Sequence, residues 1–280
     1  MAPKTVLITG CSDGGIGAAL AAEFHAQGCR VFATARNVEK MQSLRALGVE
    51  TVAMDVTSDA SIAAAVAQVG AATGGSLDYL INNAGVHHFM PFTDSKADDF
   101  RRVIDTNITA VFVVTHAFLP LLIQARGLVA NIGSVQEVFC LPFQSAYNAS
   151  KAAIHAMAHT LRVELKPLGV RFVTVVTGGV KTKLYENAPV ELPADSYYTP
   201  IAHKIESREF IHNVKRDDVD DYAKGVVRDL LKPEPRWTLW HGSQTYLAWF
   251  LSWFGWDGMI DSQIGEKNGL NELKIHPKSD

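Results

Sequence analysis

A short β-branched run at residues 5–9 breaks directly into glycines in Thr9-Gly10-Cys11-Ser12-Asp13-Gly14-Gly15-Ile16-Gly17. Beyond the turn, Ile16, Leu20 and Phe24 recur at four-residue spacing with Ala19 beside them, one apolar face of a helix. A strand that turns through glycine into such a helix is the first half of a βαβ unit. Parallel neighbours cannot be joined by a hairpin, so this unit confines the chain to a sheet covered by crossover helices. Further strand candidates fall at residues 30–34, 51–54, 77–81, 128–132 and 171–176, with a seventh at 237–240. Several are near-continuous apolar runs, the pattern of strands buried on both faces.

The expectation is an α/β protein with a doubly wound parallel sheet. With 280 residues, 48% of them hydrophobic, the chain has ample material for a large core. No internal repeat or low-complexity linker divides it, which predicts a single domain with one irregular insertion at residues 183–214, after the sixth strand. In an open α/β sheet a loop beyond the carboxyl end of a strand lies on the ligand side, so this stretch is expected to face substrate. A net charge of -3 without a long run of one sign supplies no field for nucleic acid. Cys11, Cys29 and Cys140 are widely spaced, which suggests neither a disulfide framework nor a zinc site and fits a reducing compartment. The apolar run near the N-terminus is too short for a signal-peptide core, so a cytoplasmic location is expected.

The glycine turn has a chemical reading. Its backbone must bend tightly and approach a pyrophosphate, which then rests against the partly positive end of the helix. No Gly-Lys-Ser/Thr follows, which argues against a nucleoside triphosphatase. Gly10, Ser12, Gly15, Ile16 and Gly17 are the candidate contacts. The end of the second strand selects between nicotinamide cofactors, an acid bonding the ribose 2′-hydroxyl and an arginine accepting a 2′-phosphate. Here the residues are Ala33-Thr34-Ala35-Arg36, with no carboxylate, and the fork of Arg36 favours NADP(H).

Tyr147 and Lys151 stand four apart at the start of a helical segment and share a face. A tyrosine titrates near 10 in water, so proton transfer at neutral pH calls for a neighbouring cation, which Lys151 supplies. Ser134, at the end of the fifth strand, sits on the same sheet edge as the cofactor and can hold a substrate oxygen. Together with Asp55-Val56 after the third strand, Asn82-Asn83-Ala84-Gly85 after the fourth, Asn107, and the run from Thr177 to Thr182 after the sixth, these residues resemble the short-chain dehydrogenase/reductase family along nearly the whole chain.

The resemblance implies a Rossmann-like fold and a carbonyl/alcohol interconversion with a homo-oligomeric assembly. By it, Tyr147 donates the proton, Ser134 positions the oxygen, Lys151 supports the tyrosine and binds the nicotinamide ribose, and Asn107 holds a water of the relay. It also implies that Asp55 and Val56 contact the adenine, that Asn83, Ala84 and Gly85 line the adenosine side, and that Gly178, Val180 and Thr182 meet the nicotinamide. Two departures stand out: the glycine turn is one residue longer than the family's commonest form, and the usual Pro-Gly is Thr177-Gly178. The proline's loss leaves the nicotinamide-side backbone less rigid. A non-catalytic NADP(H)-binding module is the alternative, disfavoured because both Tyr147 and Lys151 are present.

Within the family, residues 145–155, the Glu164-Leu165-Lys166-Pro167 run and the Thr-Gly-Gly-Val segment are most similar to the NADPH-dependent 1-acyl-dihydroxyacetone-phosphate reductases of fungi. That implies an apolar, lipid-like small-molecule substrate; a ketone of fungal secondary metabolism, terpenoid or polyketide, is the alternative. All five tryptophans lie in residues 237–261. This segment is expected to form an apolar lid, a subunit interface, or a peripheral contact with a membrane or lipid-droplet surface. Its unbroken apolar part is too short to span a bilayer.

Overall fold

The computed structural model describes residues 2–182, 190–208, 214–256 and 258–273. Seven strands form one sheet: β1 (Thr5–Ile8), β2 (Arg30–Ala35), β3 (Glu50–Ala53), β4 (Tyr79–Asn82), β5 (Leu128–Ile132), β6 (Arg171–Thr177) and β7 (Thr238–His241). Their order is β3-β2-β1-β4-β5-β6-β7, and every pairing is parallel. The chain winds outward from β1 in one direction and then from β4 in the other. The crevice at that reversal is where open α/β sheets bind ligands.

Side chains alternate across β1, so Val6 and Ile8 face one core and Leu7 the other. The first core is closed by α1 (Ile16–Ala26) through Leu20 and Phe24, joined by Tyr222 and Val226 of a helix late in the chain. The second is closed by α3 (Asp59–Thr73), which follows the short α2 (Gln42–Ala46), and by two long helices. One of these runs as α4 (Ala97–Ile104), a π-helical turn (Asp105–Thr109) and α5 (Ala110–Ala125) without a break. The other is α6 (Ser145–Glu164). Then come α7 (Ala202–Ser207), α8 (Val219–Leu230), which carries Tyr222, α9 (Thr245–Phe254) and α10 (Asp261–Lys267).

All seven expected strands exist, with ends within two residues of expectation. The insertion at 183–214 is not wholly irregular, since α7 lies within it; residues 183–189 and 209–213 are outside the described residues. A third, smaller core sits under its described part, where Phe89, Phe143, Ile201 and Ile205 meet, flanked by Val190, Leu192 and Tyr198.

Candidate active site

The glycine turn links β1 to α1 at the sheet's reversal point. A Cβ on Gly17 would stand 2.5 Å from both the Gly10 carbonyl oxygen and Nδ2 of Asn83, and one on Gly10 would stand 2.8 Å from Cα of Ala84. Neither position tolerates a side chain. Gly14 is needed for a different reason, its φ of +81°. The Gly15 amide donates to the Ser12 carbonyl at 3.1 Å and is not available for a phosphate through that group. No side chain caps α1 and no acid occupies its first turn, so a helix terminus suited to an anion is open here. Asp13 clamps the loop to the start of α2 by accepting from the Ser43 hydroxyl at 2.5 Å.

Several residues expected against the adenosine have structural duties. Asn83 donates from Nδ2 to the carbonyls of Thr9 (2.8 Å) and Gly10 (3.0 Å), while Oγ1 of Thr9 accepts from the amides of Asn83 and Ala84. Its side chain braces the turn. Oδ1 of Asp55 accepts from the Thr57 amide and hydroxyl, bonds that hold its carboxyl below the usual range, with nearby Arg36 helping. Val56 follows it, partly buried. Arg36 itself is exposed at the end of β2. The cradle, the uncapped helix and this arginine fit a dinucleotide bearing an extra phosphate.

The reactive residues are buried together. Ser134 follows β5 and accepts from the Gln136 amide at 3.2 Å, leaving its own hydroxyl hydrogen to be given elsewhere. Tyr147 and Lys151 lie on one face of α6, with Nζ 5.5 Å from the tyrosine ring centroid. Nζ donates to the Ile132 carbonyl at 2.9 Å, which ties the lysine to the end of the strand that Ser134 follows. Burial pushes the Lys151 ammonium down to about 8, opposed by the charge of Glu137.

Asn107 occupies the π-helical turn, a local widening that recurs at functional sites. Its Oδ1 accepts from the Val86 amide (2.8 Å), and Nδ2 donates to the Val86 carbonyl (2.9 Å) and to Oγ of Ser150 (3.0 Å). Both amide hydrogens are therefore used for bracing, and the Ser150 hydroxyl passes the link on to the Tyr147 carbonyl at 2.7 Å. Side-chain donation by Asn107 to a relay water does not match this bonding.

On the nicotinamide side, Gly178 and Gly179 lie so close to Ser243 that neither has room for a Cβ. Thr177, which replaces the expected proline, shares a 2.7 Å hydrogen bond with the Tyr222 hydroxyl and so pins the segment by another means. Val180 is buried and bridges to Asp217, and the partly buried Thr182 lies at the edge of the described chain.

Beside Tyr147 stands an aromatic wall that the sequence did not single out. The His87 ring is 4.7 Å from that of Tyr147, and its Nε2 meets Oε1 of Gln144 at 2.5 Å. Burial lowers the His87 pKa to about 4, so the ring is neutral and donates to the glutamine. Phe89 and Tyr198 each pack edge-on against Phe143, at 5.7 and 5.5 Å. Phe143 has a φ of +66°, a strained conformation for a residue with a side chain, placed just before the helix that carries Tyr147.

The short chain dehydrogenase family model matches residues 4–191. The chain belongs to the short-chain dehydrogenase family. A short-chain dehydrogenase of Talaromyces islandicus, cctT, is 42% identical over 276 residues, covering 96% of this chain and 97% of its own. The NADPH-dependent 1-acyldihydroxyacetone phosphate reductase of Schizosaccharomyces pombe is 44% identical over 204 residues, 71% of this chain and 69% of that protein. Among solved structures, the closed form of serine dehydrogenase complexed with NADP+ superposes with a TM-score of 0.74 at 26% identity, covering 86% of this chain and 95% of the other. In this short-chain dehydrogenase, Tyr147 and Lys151 share a face of α6, and Lys151 bonds to the last residue of β5, two positions before Ser134. The bracing role of Thr9, together with His87, Gln144 and Phe143, escaped the sequence, although His87 lies two residues beyond the Asn-Ala-Gly segment and Gln144 directly precedes α6.

Proposed function

We propose that this enzyme is an NADP(H)-dependent ketoreductase that forms a secondary alcohol from an apolar ketone, or runs in reverse. The observation that carries this is the burial of Tyr147 and Lys151 on one face of α6, with Lys151 bonded to the strand that presents Ser134. The cofactor supplies or accepts the hydride. Ser134 gives a hydrogen bond to the carbonyl oxygen, and Tyr147 gives it a proton. The Lys151 ammonium favours the phenolate left behind and holds the ribose. Arg36 receives the 2′-phosphate, and the NADPH dependence of the fission-yeast relative supports that assignment.

The substrate class follows from the wall. Phe89, Phe143 and Tyr198 make it apolar, and the guanidinium of buried Arg208 stands 5.8 Å from the Phe89 ring centroid, adding a cation. An acyl-ketone phosphate has both matching parts, and the fission-yeast reductase acts on such a compound by its name. A ring-bearing secondary-metabolite ketone is the second reading, favoured by the edge-on aromatic geometry of the same wall. NADPH consumption across acyl-ketone phosphates, simple ketones, steroids and terpenoid ketones, with products identified, separates the two. NADPH binding without turnover of any of them would overturn the ketoreductase assignment.

The tryptophan-rich segment adds a proposal about place. Only Ala248 of α9 is buried, whereas Tyr246, Trp253, Phe254 and neighbouring Trp256 keep 78, 72, 63 and 70% of their surfaces exposed. Aromatic rings of this kind suit the interfacial layer of a lipid surface. Flotation with liposomes should carry the intact chain, and a chain in which Tyr246, Trp253 and Trp256 are serine should stay behind. Equal recovery of both would reject the contact.

A further inference from the structure

One buried acid stands outside the machinery described so far. Glu137 closes the short helical turn Val135–Glu137 that Ser134 caps, and its side chain is only 6% exposed. Oε1 lies 2.8 Å from Nδ1 of His155, while Oε2 is buried with no hydrogen-bond partner among the described residues. The same Oε2 would be 3.2 Å from a Cβ on Gly133, so the carboxylate lies against the residue that follows Ile132, whose carbonyl receives Lys151. His155 is one turn beyond Lys151 on α6. An acid from the turn after β5 thus meets a histidine of α6, the helix that carries the catalytic lysine.

We propose that Glu137 is a positioning residue: its carboxylate, steered by His155, supplies the negative charge against which the buried ammonium of Lys151 is held. This rests on the ketoreductase reading of the site. Lys151 gains one hydrogen bond to a neutral carbonyl while losing its hydration, so an uncompensated ammonium there would shed its proton early. Glu137 opposes that loss through space, and only one of its oxygens is engaged by His155. A purely structural acid would be expected to have both oxygens satisfied.

The surroundings fix the sign of the pH response. From α6, the titratable groups nearby are Tyr147, Lys151, His155 and His159, whose ring stacks on that of His155 at 4.5 Å. Arg162 lies further along and packs over Trp237. From the neighbouring strand β6, the atoms nearest Gly133 are the Thr174 methyl group and the Val175 carbonyl, neither of them charged. His87, on the Tyr147 side, also senses Lys151 and is neutral. The Glu137 carboxylate holds the His155 pKa above the usual histidine range. While His155 is protonated it offsets the carboxylate; once it loses that proton, the full charge acts on Lys151. Support for the ammonium therefore strengthens as pH rises, in the direction in which Lys151 would otherwise be lost.

The test uses the full chain with Glu137→Gln, Glu137→Asp and His155→Gln. The pH profile of kcat/KM for NADPH-driven reduction should lose its alkaline limb about one unit earlier in Glu137→Gln, roughly a tenfold loss at high pH with little change at pH 6. Glu137→Asp should restore most of the limb. His155→Gln should keep it and flatten the change near neutrality. A second measurement needs no substrate: ultraviolet titration of tyrosinate, with Tyr147→Phe subtracted, should show the Tyr147 phenolate forming at higher pH in Glu137→Gln. A uniform loss at every pH, with an unmoved tyrosinate titration, would overturn the proposal in favour of a folding role. If no ketone is reduced, the ketoreductase reading fails while the tyrosinate titration still decides the role of Glu137. If Glu137→Gln does not fold, the same two readouts on His155→Gln carry the decision, and an unflattened, wild-type change near neutrality in it would overturn the proposal.

Discussion

At Gly17 a single added methyl carbon would stand 2.5 Å from a backbone oxygen, whereas Trp253 of α9, beyond the last strand of the same sheet, leaves 72% of its surface exposed. The first region has no freedom of side chain, and its constraint is set by the backbone of two neighbouring strands. The second carries bulky side chains that the rest of the chain hardly touches. Between these extremes lies the aromatic wall around Phe143, packed but strained. Specificity can therefore change with least cost to the fold away from the glycine turn between β1 and β4, in the aromatic wall and the small core under residues 190–208.

Four measurements sharpen or break that contrast, in descending order of effect. Arg36→Asp should lower the NADPH-to-NADH ratio of kcat/KM by about 10- to 100-fold, since a charge-assisted bond is lost and a like charge introduced. An unchanged ratio would remove the basis for NADP(H). Gly17→Ala should cost about 1–3 kcal/mol in chemical denaturation and weaken NADPH binding, because the atoms it meets are backbone and a bracing amide. Retained stability would mean that the cradle is more pliant than its contacts show. Phe143→Ala, on the substrate side, should raise KM for bulky apolar ketones about tenfold through lost ring contacts, with NADPH affinity held. A matching loss of NADPH affinity would mean that the two sides are not separable.

The smallest effect concerns His87. Its folded pKa of about 4 lies below the unfolded 6.5, so between those values the unfolded chain binds more protons. Stability contributed by the neutral ring is present above about 6.5 and falls as pH drops, by roughly 1 kcal/mol at pH 5.5. His87→Gln should flatten this part of the melting profile relative to the native chain. A parallel profile would place the acid sensitivity elsewhere.

The sequence was most informative where one physical requirement left one answer. Strands buried on both faces show as apolar runs, Gly10 and Gly17 mark a backbone approach, and Tyr147 with Lys151 reports a shared helix face. It was least informative where a side chain has several possible partners. Asn107 and Asn83 occupy motif positions, yet their amides brace Val86, Ser150, Thr9 and Gly10. Pairing across the fold, as between Glu137 and His155, leaves no periodic trace because the two residues lie on different elements. Nor does spacing reveal that Phe143 adopts a left-handed backbone, since that depends on the Met90 amide donating to its carbonyl at 2.7 Å.

The bracing of the glycine turn by Asn83 also orders events in time. Its amide donates to Thr9 across 74 positions, so the turn takes its shape only after β4 has docked beside β1. A growing chain that has completed just the first βαβ unit holds the glycines but not the cradle. Closing so long a loop is slow compared with forming α1, and the dinucleotide cannot guide it, having nothing shaped to grip. Nucleotide affinity should therefore emerge late in refolding, as a reporter that the two halves of the sheet have joined.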